Sequence, residues 1–251
     1  MRLDKYLAES GLGTRSEVKT FIKKGRITVD DVLVKSDKMQ IDANLVAVKF
    51  DGVPVVHQTL FYYMLNKPAG LVSVTQDNVH QTVMSLLRPG DYRADLFPAG
   101  RLDKDTTGLL LLTNDGDLAH HLLSPHKHVA KEYHVRVDGH VTKRTIEAFA
   151  AGVALHGEKG NPFVGELTLE TITKDDVMKS GYQSLVRLVI HRGVYHQVKR
   201  MFRAVGMEVK SLQRVRMGSL VLDAGLSEGD YRALSDAELR ELQKTSGACL
   251  E

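Results

Sequence analysis

The spacing of apolar and polar positions divides the first 59 residues into two helical segments and several short extended ones. Apolar side chains recur every three or four residues in 3–10 and again in 15–24. Residues 14–17 (Thr-Arg-Ser-Glu) have the sequence of a capping box, which predicts the start of the second helix. Alternating apolar positions, with an acidic pair at 30–31 as a turn, indicate β-structure. Short strands are predicted at 26–29, 32–34 and 46–50.

A polar stretch at 57–59 ends this pattern, and we predict a domain boundary there, with domains at 1–59 and 60–251. In the second part, four leucines at 109–112 indicate a strand buried on both faces. A Pro/Gly turn at 66–70 is expected to end the first strand of this domain. Further strands are predicted at 60–65, 131–137, 167–171 and 186–190. Helices are predicted after Asp117 and Thr142, and at 198–205 and 236–244.

Composition narrows the class of protein. The chain has 251 residues, of which 43% are hydrophobic, so it can bury a large core, and its net charge of +3 permits an acidic partner without requiring one. The single cysteine, Cys249, cannot build a disulfide framework, and the eleven histidines do not follow a ligand pattern, so no metal is expected. The start is charged and no apolar run approaches the ~20 residues of a membrane span. A cytoplasmic protein without membrane contact is therefore expected.

The candidate chemistry lies just before the four leucines, in the polar stretch 100–108. On residue types alone, Arg101, Asp103 and Asp105 are best interpreted as turn residues with a surface ion pair. If the backbone is extended, Arg101 and Asp103 point to the same face, and the cation would favour the carboxylate form of Asp103. An acidic side chain held at the end of a rigid strand is also suited to nucleophilic or acid–base chemistry.

The sequence Gly-Arg-Leu-Asp-x-x-Thr-x-Gly-Leu-Leu-Leu-Leu-Thr-Asn-Asp-Gly, at 100–116, resembles the signature of the bacterial ribosomal RNA pseudouridine synthases, in particular the small-subunit (16S) branch. The whole chain resembles that branch. The resemblance implies that Asp103 is the catalytic aspartate. It also implies that Arg101 fills the space left by a flipped-out base or holds a phosphate.

Two further motifs of the same family follow in order. Lys-x-Tyr at 131–133 resembles the second signature, in which the tyrosine, here Tyr133, packs against the target uracil. From its position on a strand alone, Tyr133 would be assigned to the core. Tyr-His-Gln-Val-Lys-Arg-Met at 195–201 resembles the third signature and implies that Lys199 pairs with the aspartate. Arg-Gly-Val at 192–194 departs from the usual Glu-Gly-Arg, and no role is assigned to it.

The N-terminal part resembles the small αL-type RNA-binding domain that a ribosomal small-subunit protein shares with many RNA-modifying enzymes. The resemblance is carried by Arg2-Leu3-Asp4-Lys5-x-Leu7, Gly11, Arg15, Ile22 and Gly25-Arg26-x-x-Val29. Together these matches imply an α+β chain. The resemblance implies that an αL-type RNA-binding domain is followed by a pseudouridine-synthase catalytic domain, built on a mixed, mainly antiparallel β-sheet that helices flank.

Clusters of cations mark two candidate RNA-binding stretches, at 15–26 and at 192–216, where seven cations stand against one acid. On charge alone, a solvated helix face explains the first equally well. Lys67 is added because Lys-Pro-x-Gly at 67–70 resembles a family motif that shapes a loop near the active site. The candidate RNA contacts are Arg2, Arg15, Lys19, Lys23, Lys24, Arg26, Lys67, Arg200 and Arg203.

The resemblance implies cofactor-free isomerisation of a specific uridine in 16S ribosomal RNA, or in a partly assembled small subunit, by a monomer. The base would leave its stack to reach the aspartate. The aspartate would either attack the anomeric carbon of the ribose or take a proton from the neighbouring carbon. Three alternatives remain open: a large-subunit RNA synthase, a non-catalytic assembly factor, and a Mg²⁺-dependent phosphohydrolase. The last rests on the Asp-x-Asp-x-Thr spacing at 103–107.

Overall fold

The computed structural model describes residues 1–43 and 45–247, so Cys249 lies outside the described residues. These residues form two compact units that divide between Leu60 and Phe61. Within the described ranges, no helix combines the length and apolar character that crossing a membrane would need.

The first unit consists of two helices and a four-stranded antiparallel sheet of order β2-β1-β3-β4. The predicted capping box is confirmed, because Thr14 and Glu17 bond to each other's backbone N–H at 2.7 and 3.3 Å. Leu7, Ile22 and Ile27 are fully buried in the core between helices and sheet. The elements are α1 (Leu3–Glu9), α2 (Arg15–Lys23), β1 (Ile27–Val29), β2 (Val32–Leu33), β3 (Val48–Phe50) and β4 (Val53–Pro54).

The second unit is built on one large sheet with helices on both faces. Its strands are β5 (Tyr62–Lys67), β6 (Phe97–Ala99), β7 (Thr107–Thr113), β8 (Lys131–Asp138), β9 (Glu166–Lys174), β10 (Tyr182–Ile190), β11 (Glu208–Met217), β12 (Leu220–Val221) and β13 (Tyr231–Ala233). Its helices are α3 (Gly116–Leu123), α4 (Lys143–Ala151), α5 (Gln197–Ala204) and α6 (Asp236–Ser246), with short 3₁₀ turns at Val83–Leu86 and Pro125–Lys127.

The strand order is β13-β5-β7-β11-β8-β10-β9, with β6 beside β7 and β12 beside β11. Every pair is antiparallel except β7 with β11, so the predicted mixed, mainly antiparallel sheet is confirmed. Helices α4 and α5 contribute Phe149, Met201 and Phe202 to the core on one face. Helices α3 and α6 contribute Leu122 and Leu242 to the core on the other.

The leucine strand lies near the middle of this sheet. All four leucines of 109–112 are fully buried, which confirms the prediction of a strand covered on both faces. Leu110 and Leu112 belong to the core beneath α4 and α5, whereas Leu109 and Leu111 belong to the core beneath α3 and α6. The loop 100–106 is joined directly to this rigid strand.

Two predicted details were wrong, and one strand was not predicted. Strand β5 continues to Lys67 instead of ending at 65, because Asn66 and Lys67 still pair with β7, and the Asn66 side-chain amide and backbone N–H donate to the Leu226 and Asp230 carbonyls. The N-cap of α3 is Asp115, whose carboxylate accepts the Leu118 N–H at 2.9 Å, and Asp117 lies in the first turn. The long central strand β11 was missed, because charged residues interrupt its apolar alternation.

Candidate active site

A cavity of about 550 Å³ opens beside the loop 100–106, between α5 and the sheet. All four residues that were predicted to take part in the chemistry line this cavity: Arg101, Asp103, Tyr133 and Lys199. Residues 73, 106, 131, 190, 196, 212 and 214 are also part of the lining. The folded chain therefore brings together three motifs that are far apart in the sequence.

The loop is held from below by a buried lysine. Lys67 is fully buried, and its ammonium group donates to the carbonyl oxygens of Pro68, Asp103, Lys104 and Thr106 at 2.8–3.3 Å. Burial lowers the pKa of Lys67 to about 8, although Asp105 and Asp103 oppose that shift. The prediction that Lys67 contacts RNA was wrong, because the loop carbonyls enclose its charge.

Further hydrogen bonds fix the same loop from the side. The Ser73 hydroxyl donates to the Leu102 carbonyl at 3.0 Å and accepts from the Leu102 N–H at 3.2 Å. The Gly70 N–H donates to the Lys104 carbonyl at 2.7 Å. The backbone that carries Asp103 is thereby set on both sides of the carboxylate, as a positioned reactive group requires.

The Asp103 carboxylate is partly exposed, at 27% of its side-chain area, and lies among basic groups. Lys199 Nζ lies 3.1 Å from Oδ2, so the two side chains that the resemblance paired form an ion pair. His196 Nε2 lies 3.5 Å from Oδ1. Lys199 also contacts Asp105 Oδ1 at 2.5 Å, and it therefore bridges the two aspartates.

These contacts change the pKa values of Lys199 and Asp105. Burial lowers the pKa of Lys199, but hydrogen bonds to Asp105 and Asp103 outweigh burial and raise it overall. Burial raises the pKa of Asp105, and the bond from Lys199 reverses that effect and lowers it overall. Lys199 consequently stays cationic and Asp105 anionic at neutral pH.

Helix α5 and the residue that precedes it supply the two basic groups, Lys199 and His196. Its Gln197 side chain accepts the Val194 N–H at 3.2 Å and is buried at the helix start. His196 precedes the helix in a left-handed conformation, with φ of 51°, and its ring stacks on Tyr195 at 3.8 Å. Sequence reasoning missed His196 as a neighbour of Asp103, because its direction follows from this unusual backbone angle. Its place within the third motif was the only available signal.

Tyr133 and Arg101 occupy different parts of the cavity wall. Tyr133 stands on β8 between Leu188 of β10 and Arg214 of β11, and it is 8% exposed. It therefore belongs to the core as well as to the cavity lining. Arg101 is exposed, and among the described residues it forms no ion pair with Asp103 or any other acid. The expected surface ion pair of Arg101 with Asp103 was wrong.

The candidate RNA contacts of the first unit fall into two groups. Arg15, Lys23 and Lys24 are exposed on or next to α2, and no ion pair involves them in the described part of the chain. The others have acidic neighbours. Arg2 bonds to Asp4, Lys19 lies 3.8 Å from Asp37, and Arg26 pairs with Asp51 while stacking on Phe21 and Phe50.

The cations of 192–216 are less available than their number indicated. Arg200 donates to the His156 and Tyr195 carbonyls and pairs with Glu158 at 2.8 Å, so its guanidinium group is already engaged, and its contact with RNA stays a prediction. Acids distant in sequence likewise neutralise Lys210 and Arg216. Arg203 is exposed on α5, as an RNA contact requires.

The comparisons with known proteins cover almost the whole chain. The sequence profile of RNA pseudouridylate synthase matches residues 61–204, and that of the S4 domain matches 1–46. A Bacillus subtilis (strain 168) protein named Uncharacterized RNA pseudouridine synthase YtzG is 45% identical over 245 residues, or 97% of this chain and 99% of that protein. Ribosomal small subunit pseudouridine synthase A of Escherichia coli (strain K12) is 41% identical over 241 residues, or 95% and 98%.

A solved structure gives the same result. The crystal structure of a pseudouridylate synthase superposes with a TM-score of 0.63 at 37% identity, and the match covers 96% of this chain and 99% of that one. The matched range 61–204 contains Asp103, Tyr133 and Lys199. The chain therefore belongs to the RNA pseudouridylate synthase family and carries an S4 domain at its N-terminus.

Proposed function

We propose that this pseudouridine synthase isomerises a specific uridine of 16S ribosomal RNA, free or in a partly assembled small subunit, with Asp103 as the catalytic carboxylate. The substrate is supported by the Escherichia coli and Salmonella typhimurium relatives, which are named as ribosomal small subunit enzymes and are 41% and 42% identical over 241 residues. The observation that carries the catalytic assignment is the partly exposed carboxylate of Asp103, held on a fixed loop beside Lys199.

The chemistry follows from this placement. The target uridine leaves its stack and enters the cavity, where Tyr133 provides a flat partner for the base. The bond between ribose C1′ and uracil N1 breaks, the base turns, and C1′ bonds to uracil C5, whose proton is lost while one is gained at N1. Asp103 assists either by bonding to C1′ or by accepting the C2′ proton. Because nothing is oxidised or reduced overall, we propose that no cofactor takes part.

Lys199, Arg101 and the S4 domain have supporting roles in this proposal. Lys199 holds the Asp103 carboxylate at the cavity through their 3.1 Å ion pair, and Asp105 limits how far the ammonium group can move. The exposed Arg101, which lacks an acidic partner in the described residues, is free to enter the space left in the RNA or to hold a phosphate. The S4 domain adds RNA affinity through Arg15, Lys23 and Lys24.

The test is a pseudouridine map of ribosomal RNA from cells that lack the protein, complemented with the wild type or with Asp103→Asn. We expect one 16S position to lose its modification and to regain it only with the wild type. A change confined to large-subunit RNA would overturn the substrate assignment. Incubating purified protein with 16S transcripts and with assembled small subunits then distinguishes free RNA from an assembly intermediate.

A further inference from the structure

Two buried cations that the proposed chemistry does not use lie in the same cavity. Lys131 is 7% exposed and Arg214 is 2% exposed, and both line the cavity. In the described part of the chain, no carboxylate forms an ion pair with either. Buried charges are normally paired with an opposite charge, so two such groups together need an explanation.

The sheet explains why the two side chains are neighbours. Lys131 and Tyr133 are two residues apart on β8 and therefore share a face. Arg214 is the partner of Tyr133 across the β8–β11 pair, and Leu212 precedes it on the same face of β11. Ile190 of β10 is the partner of Lys131 on the other side. The cations thus flank the aromatic ring in an otherwise apolar patch.

Their protein contacts leave hydrogen-bonding capacity unused. Lys131 Nζ donates to the carbonyl oxygens of Val129 at 3.1 Å and Leu122 at 3.5 Å. Arg214 Nε donates to the Leu109 carbonyl at 2.8 Å, whereas its Nη2 is buried and finds no partner within the described residues. A buried guanidinium nitrogen without an acceptor favours a ligand that supplies one.

We propose that Lys131 and Arg214 form a binding site for the detached base in its anionic form, so that they stabilise the uracil leaving group while it turns. This inference rests on the proposed isomerisation. When the C1′–N1 bond breaks, its electron pair stays with the base, which becomes a uracil anion with charge on N1, O2 and O4. When C5 bonds to C1′, the C5 proton is lost and the ring is neutral again after N1 is protonated.

The two cations act selectively on this step. The uridine that enters carries no charge on its base, whereas the separated base is an anion, so a fixed positive site favours the second state over the first. The effect is strong because Leu212, Ile190 and the Tyr133 ring exclude water around the charges. Asp103 does not cancel it, because the nearest cation to its carboxylate is Lys199, at 3.1 Å.

Binding of free bases to the full chain tests the site without any RNA. The probes are 5-nitrouracil, which is an anion at neutral pH, and uracil, which is neutral, with thymine as the control for bulk at carbon 5. We expect the wild type to prefer the anion by at least about tenfold, as a charge 4–6 Å away would give. Lys131→Met should lose most of that preference, and Lys131→Arg should keep it. Equal affinities of the wild type for 5-nitrouracil and uracil would overturn the proposal.

Single-turnover rates give a second, independent test of the site. Lys131→Met should slow single turnover at saturating 16S transcript by about 10²-fold, the effect of removing one preorganised stabilising group. Lys131→Arg should restore much of the rate, and Arg214→Lys, which keeps the charge, should be milder than Arg214→Met. A variant that binds RNA more weakly, with a shallower salt dependence but an unchanged turnover rate, would show that the cations hold a phosphate and would overturn the proposal.

The same measurements separate this inference from the proposed function. If Lys131 only supports the turn after α3, Lys131→Met will lower stability in urea and leave the base preference unchanged, which contradicts the proposal. If the wild type shows the anion preference but modifies no 16S position, the substrate assignment fails while the site stands.

Discussion

The exposed cations on and next to α2 differ from the buried cations in and beneath the cavity in their surroundings more than in their number. Arg15, Lys23 and Lys24 are exposed, whereas Lys67, Lys131 and Arg214 are buried among carbonyl groups and apolar side chains. Exposed cations attract a phosphate backbone through long-range, salt-sensitive forces. Buried cations act on one nearby group and are little affected by salt. We therefore expect the first set to govern capture of RNA, and the second to govern the geometry and chemistry of the site.

Among variants at the cavity, Asp103→Asn is expected to have the largest effect. The amide keeps the shape but can neither bond to C1′ nor accept a proton, so single turnover should fall by roughly 10²–10⁴-fold. RNA affinity should change little, because the α2 cations are untouched. The measurement is single-turnover pseudouridine formation together with a binding titration.

Asp105→Asn is the matched control for that variant. It removes a carboxylate two residues away, and Lys199 retains its 3.1 Å contact with Asp103. We expect a much smaller loss of rate. Equal, severe losses in both variants would contradict the distinct role of Asp103, and the Mg²⁺-dependent phosphohydrolase alternative predicts that outcome.

Lys67→Met tests whether a buried cation organises the loop. The four carbonyl oxygens it serves would each lose one donor, those of Asp103 and Lys104 would keep the Thr106 and Gly70 N–H, and each buried acceptor left unpaired costs about 1–3 kcal/mol. The free energy of unfolding in urea should fall by a few kcal/mol, and turnover should fall with it. Lys104→Met, at an exposed position of the same loop, should change stability by less than about 0.5 kcal/mol. Matching stabilities would show that the loop does not depend on Lys67.

Tyr133 tests the apolar part of the cavity. If its ring stacks on the base, Tyr133→Leu should lose the stacking free energy, about 1–3 kcal/mol, and react more slowly. Tyr133→Phe keeps the ring and should retain most of the turnover rate. Single-turnover rates of the three proteins, with urea unfolding to correct for stability, provide the comparison. An unchanged rate in Tyr133→Leu would place the ring in the core alone.

Raising the pH provides a smaller and more specific test of Lys131. Burial, aided by Arg214, lowers its pKa to about 8, so the side chain is charged below pH 8 and becomes neutral above it. If the positive charge of Lys131 stabilises the detached base, the turnover rate of the wild type relative to that of Lys131→Arg should fall as the pH rises through 8. Arg101, Asp103, Lys104, His196, Lys199 and Arg214 also line the cavity, and Lys67 titrates near the same pH. These other groups are present in the wild type and in Lys131→Arg, so their titration does not change the ratio of the two rates. A ratio that stays constant through pH 8 would argue against a catalytic charge at Lys131.

Local rules made much of the fold predictable. The capping box that begins α2, at Thr14, and the buried strand of leucines at 109–112 follow from a few neighbouring residues, and the structure confirms them. The charged sites were harder to predict. Whether Lys67 or Arg214 is buried depends on carbonyl groups that folding brings from residues 103–106 and 109, which no local pattern specifies.

The residues of the three motifs were also hard to assign from local sequence patterns. Asp103, Tyr133 and Lys199 were chosen through a family resemblance, since on residue types alone they suit a turn, a core and a solvated helix. Their meeting at one cavity depends on the pairing of β7, β8 and β11. His196 was missed because its left-handed backbone, rather than its residue type, directs it to Asp103.

The last prediction addresses the exposed side of the comparison and has the smallest expected effect on chemistry. Changing Arg15, Lys23 and Lys24 together to Ala removes three cations that have no ion pair in the described structure, and it leaves the buried residues of α2 in place. Each lost phosphate contact should flatten the log–log salt dependence of RNA binding by a slope of roughly 0.7–0.9. Affinity should fall most at low salt, and single turnover at saturating RNA should be unchanged.

A matched variant makes this prediction specific. Changing Lys143, Arg144 and Lys159 together to Ala removes the same charge from exposed positions of the second unit that are not among the candidate contacts. If only total charge mattered, both triple variants would lose affinity equally, because long-range attraction depends on net charge. A larger loss, with a shallower salt slope, for the α2 variant alone indicates direct phosphate contacts. Loss of turnover at saturating RNA in that variant would instead mean that the S4 domain takes part in forming the active site.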